Sequence, residues 1–208
     1  GVCTPTPAIT VTITDSEGCV SECLVEIPCP QGCLSKNLFA CHCPENPVTI
    51  CGHPSGGLPP FTYSWTGPEN FSATSQCISV GTPGVYTVVV TDGNGLSETC
   101  CSTVVNSHIE GPSPCPGQQD LTYEVHVDLP GGSFTPTSYS WGISGNGSFC
   151  GPANQATVCV DAGGPGVFTL LVVVDGIATF VCDGVTETVP MSGTCALAYV
   201  VENHNGCP

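Results

Sequence analysis

Three segments of this chain align without a gap, and each runs from an apolar or aromatic residue to a cysteine. They are Ile9 to Cys23 (ITVTITDSEGCVSEC), Tyr86 to Cys100 (YTVVVTDGNGLSETC) and Phe168 to Cys182 (FTLLVVVDGIATFVC). Roughly forty or more residues lie ahead of the second and third copies, enough to supply the other strands of a domain. Only Gly1 to Ala8 precede the first copy. The pattern predicts repeated β modules and an incomplete one at the N-terminus.

Cysteine accounts for 17 of the 208 residues. Such a content is typical of chains whose thiols are oxidised to disulfides outside the cytosol. Because the number is odd, full oxidation requires a bond to another molecule, and otherwise one thiol remains. We therefore expect an extracellular or cell-surface protein. The absence of an initiator Met is typical of a mature chain whose signal peptide has been removed.

The charge of the chain excludes two classes of partner. Lys36 is its only Lys or Arg, and the formal net charge is −16 at pH 7. Binding to nucleic acid or to anionic membranes requires clusters of Lys and Arg. The sequence also contains no apolar run of the length, about 18 residues, that crosses a bilayer. We therefore predict no nucleic-acid partner and no direct membrane insertion.

Turn-forming residues divide the sequence into short alternating runs. Gly and Pro number 26 and 20, and the runs between them include Phe61 to Trp65, Cys77 to Val80 and Val125 to Leu129. No stretch keeps a helical period over three turns. The runs Val11 to Asp15 and Val20 to Ile27 surround a D-S-E-G turn, as in a β-hairpin. The prediction is an all-β chain of packed sheets.

Changes in cysteine content and strand pattern along the chain predict four parts. They are an N-terminal hairpin (1–28), a cysteine-rich linker (29–44), a first β-sandwich module (45–108) and a second, longer one (109–208).

The two complete modules share a cysteine spacing. Cys77 and Cys100 are 23 positions apart, and so are Cys159 and Cys182. The simplest interpretation is one equivalent disulfide in each module. Spacing alone does not determine connectivity, so three other cysteines stay open as partners: Cys51, Cys101 and Cys150.

Four motifs in these modules resemble known repeats. FTYSW at 61–65 and GVYTVVVTDGNG at 84–95 look like repeats of bacterial cell-surface adhesins of the gliding-motility type. IEGPSPCPG at 109–117 and SYSWGISGNG at 138–147 resemble the related PKD-like domains. The resemblance covers about 160 of the 208 residues.

The resemblance implies tandem immunoglobulin-like sandwiches. Trp65 and Trp141 would then be the core tryptophans of the third strand, and Tyr86 and Phe168 the first aromatic residues of the sixth. It implies little about function, because such modules serve as spacers, adhesins and enzyme appendages alike.

Candidate ligand sites have ordinary explanations. The cluster Cys29, Cys33, Cys41, His42 and Cys43 matches no common zinc-ligand spacing, and a secreted chain favours disulfides, so no metal is predicted. Asp15 to Glu17 and Asp92 to Asn94 could supply oxygen ligands to calcium, but each is explained as a hairpin turn. We therefore expect no cofactor, with calcium as the alternative.

Nothing in the sequence indicates catalysis. The chain lacks a G-x-S-x-G or similar nucleophile motif, and its histidines are scattered in turn-like and strand contexts. They are His42, His53, His108, His126 and His204. The prediction is that the protein is not an enzyme.

The N-terminal hairpin is the main clue to function. A two-stranded hairpin alone is marginally stable in water, so its apolar face needs a cover. The expected assembly face is Ile9, Val11, Ile13, Val25 and Ile27. The hairpin could pack within its own chain, belong to a longer repeat array, or complete the sheet of another copy by β-strand addition.

Cys23 favours the third option. Its counterparts Cys100 and Cys182 have cysteines 23 positions upstream, whereas Cys23 has none. We therefore predict a secreted filament subunit that assembles head to tail with itself, with Cys23 as a candidate for an intermolecular disulfide and other cell-surface components as possible further partners. The alternative is a monomeric adhesin or carbohydrate-binding module.

Overall fold

The structure, a computed structural model, describes residues 8–14, 20–26, 37–41, 47–205 and 207, the first two ranges at the level of the backbone. Within them the chain forms fifteen strands and one short 3-10 helix at Pro68–Asn70. The strands are β1 Ala8–Thr14, β2 Val20–Glu26, β3 Leu38–Cys41, β4 Val48–Cys51, β5 Thr62–Thr66, β6 Ser72–Ala73, β7 Cys77–Val80, β8 Gly84–Thr91, β9 Ser97–Glu110, β10 Leu121–Asp128, β11 Gly132–Gly145, β12 Gly147–Phe149, β13 Thr157–Ala162, β14 Gly166–Cys182 and β15 Val185–Val201. The all-β prediction is confirmed.

The first module is a sandwich of two sheets. The pair β4–β7 packs on the sheet β6-β5-β8-β9. Strand β8 alternates buried and half-buried residues along its whole length, as expected of a strand with one face in the core. Trp65 and Tyr86 are both 1% exposed and are the largest side chains of this core.

Two hydrogen bonds fix these aromatics. Trp65 Nε1 donates to the Ser75 carbonyl at 2.8 Å, and the Tyr86 hydroxyl donates to the Thr82 carbonyl at 2.7 Å. The second bond joins the start of a strand to the backbone just upstream, which is the tyrosine corner of immunoglobulin-like sandwiches. The module therefore has an immunoglobulin-like core.

The second module repeats the plan at larger size. Strands β10, β13 and β12 face the sheet β11-β14-β15, and Phe168 and Trp141 are buried between them. Trp141 Nε1 donates to the Gln155 carbonyl at 2.8 Å, the same bond that Trp65 makes in the first module. All four aromatic side chains expected in the cores are buried.

One strand joins the two modules. The first part of β9 pairs with β8, and its last part, from Asn106 to Glu110, pairs with β10. The sheet is therefore continuous through both modules, and the division at residue 108 expected from the sequence falls inside this strand. A third buried cluster, which includes Val105, Leu129 and Phe180, fills the junction.

The segment expected to be a linker contains a strand in its described part. Leu38–Cys41 forms β3, which runs parallel to β9. Phe39 packs on Gly193 of β15, where the ring occupies the space that a Cβ would need. The strand therefore belongs to the packed structure, between β9 and β15.

Five disulfides join pairs of described residues. They are Cys41–Cys195, Cys51–Cys77, Cys101–Cys182, Cys115–Cys207 and Cys150–Cys159. The expected pairing of Cys77 with Cys100 and of Cys159 with Cys182 is wrong, and the partners are the alternatives Cys51, Cys101 and Cys150. Cys100 is also disulfide-bonded.

Strand pairing explains the difference. A disulfide requires Cβ atoms about 4 Å apart. Cys77 lies directly opposite Cys51 in the β4–β7 pair, whereas Cys100 lies in the opposing sheet, opposite Val88. Equal spacing along the sequence therefore reflects equivalent positions in two modules and not contact in space.

Candidate assembly surfaces and ligand sites

The N-terminal hairpin forms a sheet of its own. Strands β1 and β2 pair in an antiparallel register that sets Ile9 opposite Val25 and Val11 opposite Cys23. Among the described strands, neither pairs with any strand outside this hairpin. The predicted hairpin is confirmed at Ala8–Thr14 and Val20–Glu26, while Ile27 and the turn at 15–19 lie outside the described residues.

The described sheets differ in how long their edges are. The large sheet ends in β12 and β6, which have three and two residues. The three-stranded sheet ends in β11 and β15, which have 14 and 17 residues. Natural sheets usually protect their edges with short strands, prolines, bulges or charges. The large sheet follows this rule through length alone.

The two long edges are protected unequally. Strand β11 contains Pro136 and a register shift between Pro136 and Ser138, which interrupts its regular edge. Strand β15 carries Pro190 and one charged residue, Glu187, both in its first half. From Ala196 to Val201 it has neither proline nor charge. Among the described strands, β15 pairs with β14 only.

A groove lies beside this last part of β15. It has a volume of about 410 Å³. It is lined by Ser113, Pro114, Ala198, Tyr199, Val200, Glu202 and His204. Val200 is 56% exposed, and its cross-strand partner Val167 is 48% exposed. This end of the sheet therefore combines an open strand edge with exposed apolar side chains.

Tyr199 forms the inner wall of the groove. Its ring contacts Tyr123 and Phe168, with centroids 4.6 and 5.5 Å away. Burial, with a smaller effect of the Glu110 charge, raises the pKa of Tyr199 to about 12. Its buried hydroxyl makes no hydrogen bond within the described part of the chain. An unsatisfied hydroxyl is therefore buried beneath this end of β15.

The outer face of the three-stranded sheet is almost uncharged. Asp175, on the central strand, is the one ionisable residue among its alternating outward positions in β11, β14 and β15. The hydroxyl of Ser138, which donates to Oδ2 at 2.6 Å, and that of Ser192 lower the pKa of Asp175, against the raising effect of burial. Leu171 and Ile177 are exposed on the same face.

The carboxylate of Asp92, in the turn between β8 and β9, accepts hydrogen bonds from backbone N–H groups. Burial raises the pKa of Asp92, but hydrogen bonds from backbone N–H groups, with Leu58 first, lower it below its usual value of 3.8. Oδ1 accepts from Asn94 and Leu96 at 2.9 Å, and Oδ2 accepts from Leu58 at 3.1 Å. The carboxylate thus organises the loop between β8 and β9. The other candidate turn, Asp15 to Glu17, and the cysteine cluster apart from Cys41 lie outside the described residues.

Two of the scattered histidines meet in the structure. His108 on β9 and His126 on β10 are cross-strand partners, and their rings stack with centroids 5.0 Å apart. Glu110 and Glu124 form the next pair on the same face of these strands. Sequence reasoning missed this cluster, although the H-x-E and E-x-H patterns in consecutive strand-like runs signalled it.

Comparison with known proteins yields distant structural similarity. No family model and no curated protein sequence matches the chain. The D00-D0 domain of intimin matches with a TM-score of 0.37 and 16% identity over 82% of this chain and 97% of that one. The insect immune protein hemolin matches with a TM-score of 0.30 and 16% identity over 93% of this chain and 55% of that one. A Salmonella alpha-2-macroglobulin mutant matches with a TM-score of 0.33 and 14% identity over 88% of this chain and 17% of that one.

These TM-scores are low, so the immunoglobulin-like assignment depends on the strand order and core described above. In the same described residues, no helix has the length and apolar character needed to span a membrane.

Proposed function

We propose that this chain is a secreted, non-enzymatic structural subunit that assembles head to tail by β-strand addition. In this proposal, the hairpin β1–β2 of one copy extends the sheet β11-β14-β15 of the next copy at the β15 edge. The supporting observation is the combination of a hairpin that pairs with no other described strand and a 17-residue edge strand that pairs only with β14.

The segment Ala196–Val201 is the proposed acceptor. Its backbone can offer N–H and C=O groups to an added strand, and no proline or charge interrupts it. Exposed Val200 and Val167 provide apolar surface beside it. The groove next to Tyr199 leaves room for the side chains of an incoming strand.

Strand β1 is the proposed donor. It has seven residues, Ala8–Thr14, and none of them is charged. Strand β2 contains two glutamates, Glu22 and Glu26, and would be repelled more strongly by a chain of net charge −16. The added hairpin would therefore lie with β1 next to β15 and β2 at the new outer edge.

The proposed assembly can grow at both ends, and an intermolecular disulfide would reinforce it. Donor and acceptor are different surfaces, so the contact is heterologous and produces a fibre unless the rotation closes a ring. Cys23, opposite Val11 in the hairpin register, is the proposed intermolecular cysteine. In a head-to-tail assembly such a bond uses two cysteines of each subunit, Cys23 and its acceptor, so that 15 of the 17 cysteines remain for other bonds.

Two variants, each lacking either the donor or the acceptor function, test the proposal. A chain lacking residues 1–28 could accept a hairpin but not donate one, and Val200→Lys would place a charge at the acceptor edge while keeping the donor. Each is expected to remain monomeric by size-exclusion chromatography and negative-stain microscopy. Added in small amounts to the intact chain, each should also shorten its filaments, because it blocks one growing end.

Val181→Lys is the matched control. Val181 is 58% exposed, similar to Val200, but lies on the central strand β14. Filaments of this variant should match those of the intact chain in length. If the intact chain is a monomer at every concentration, or the truncated chain polymerises equally well, the proposal is refuted.

A monomeric adhesin module is the second candidate function. The observation that favours it is the outer face of β11-β14-β15, which has Asp175 as its one ionisable residue and exposes Leu171 and Ile177. A single 21.2 kDa species under non-reducing conditions would favour this role. Val181→Lys and Leu171→Lys would then reduce attachment to the target, whereas deletion of residues 1–28 would leave it unchanged.

A further inference from the structure

We propose that the pair of strands β9 and β10 carries a zinc-binding site made by His108, His126 and Glu110, with Glu124 beside them. Their ligand atoms belong to two kinds of group that zinc accepts, imidazole nitrogen and carboxylate oxygen, and they lie on neighbouring strands. This site is independent of the assembly proposal.

The strand register brings the donors together. In the β9–β10 pair, His108 lies opposite His126 and Glu110 lies opposite Glu124, so all four positions share one face. Ile109 and Val125, between them, point into the core and hold the backbone in place. The donors are therefore set on two rigid strands and not on a loop.

The distances suit a single ion. His126 Nε2 lies 3.3 Å from Glu110 Oε2 and 3.9 Å from Glu124 Oε2. One ligand atom each from His108, Glu110 and His126 lies within 4.8 Å of the other two. Ligand atoms about 2.0–2.2 Å from a tetrahedral zinc are separated by a little over 3 Å. Small rotations of exposed side chains bring this set to that geometry.

The ligand types favour zinc over calcium. Two imidazoles and one or two carboxylates suit zinc and related transition metals, whereas calcium takes six to eight oxygen ligands. Water can complete the four-coordinate shell, because His126 and Glu110 are 41% and 73% exposed. The net charge of −16 further favours uptake of a cation.

The nearby groups do not compete for the donors. Asn106 and Asp128, the next cross-strand pair, bond to each other through Nδ2 and Oδ1 at 3.3 Å. The other described groups of potential metal ligands are centred on the disulfides Cys115–Cys207 and Cys150–Cys159, whose sulfurs are already bonded.

Zinc titration of the full oxidised chain tests the site. The protein is stripped with a chelator, its remaining thiols are alkylated, and Zn²⁺ is added in an isothermal titration calorimeter. We expect one ion per chain with a micromolar or tighter Kd, and little displacement by an equal concentration of Ca²⁺. His126→Asn should weaken this binding at least tenfold, and Glu110→Gln should weaken it as a second, milder change.

His53→Asn is the matched control, because His53 is exposed and outside the cluster. It should leave the Kd unchanged, and melting curves without metal should show that each variant is folded. Equal affinity in the intact chain and in both cluster variants would overturn the proposal, as would the absence of zinc binding at about 100 micromolar Zn²⁺, a concentration far above the expected Kd.

Discussion

Cys101 and Cys182 are 81 residues apart in sequence and form a disulfide between the two modules. Cys101 lies on the strand that both modules share, and Cys182 ends the long strand β14. The end of β14 is thereby attached to β9 on the side that faces the junction cluster. The junction cluster around Val105 and Phe180 lies beside this bond, so packing and covalent chemistry act at the same place.

Removing this disulfide should cost more than removing the shortest one. By the chain-entropy relation, closing a loop with a sequence separation of 81 contributes up to about 4.5 kcal/mol, whereas the separation of 9 from Cys150 to Cys159 contributes about 2.6 kcal/mol. Denaturation of the two double-alanine variants under non-reducing conditions measures the difference. A larger loss for the short loop would show that the relation does not govern this chain.

Two tyrosine hydroxyls should behave oppositely. Tyr86→Phe removes the bond to the Thr82 carbonyl and is expected to lower the free energy of unfolding by about 0.5–1.5 kcal/mol. Tyr199→Phe removes a buried hydroxyl that has no hydrogen bond among the described residues, so stability should be unchanged or higher. Urea denaturation of both variants decides this. A clear loss in Tyr199→Phe would mean that its hydroxyl has a partner.

Gly193 should tolerate no side chain. A Cβ there would fall within the Phe39 ring, so Gly193→Ala is expected to cost about 1–3 kcal/mol through displacement of β3. Gly142→Ala is the control, because nothing lies within 4 Å of its added Cβ and alanine costs less conformational entropy than glycine. Melting temperatures of both variants provide the measurement. Equal melting temperatures would show that β3 does not press on β15.

Acid should destabilise the first module partly through Asp92. The pKa of Asp92 is lower in the folded chain than the usual value of 3.8, which applies to the unfolded chain. The carboxylate therefore stabilises the fold fully at a pH above the unfolded pKa, and this contribution is lost as the pH falls through the lower pKa of the folded chain. Melting temperatures from pH 6 to pH 2 should fall less steeply for Asp92→Asn than for the unmodified chain. Glu187→Gln, which removes an exposed carboxylate of β15, is the control. An identical slope in Asp92→Asn and in the unmodified chain would contradict the assignment.

Local patterns predicted much of the fold. Alternation and turn residues predicted strands and the hairpin β1–β2, which the structure places within three residues of the expected start. The resemblance to immunoglobulin-like repeats implied that Trp65 and Trp141 are core residues, and both side chains are buried. The strands and the hairpin depend on neighbours close in sequence, so a single sequence contains enough information for them.

Disulfide partners and the histidine cluster were not predictable in this way. Cys101 meets Cys182, and His108 meets His126, only because β9 passes from one module into the next and pairs on both sides. A one-residue change in that register would move every side chain of the strand to the opposite face.

The sequence by itself determined the all-β class, the repeated strands, the acidic charge and the requirement for disulfides, because period, composition and spacing are properties of the chain alone. Tertiary structure decided which cysteines bond, where the modules join and which strand edge stays open. Those outcomes depend on distances between residues far apart in sequence, and such distances are set by how sheets pair and pack.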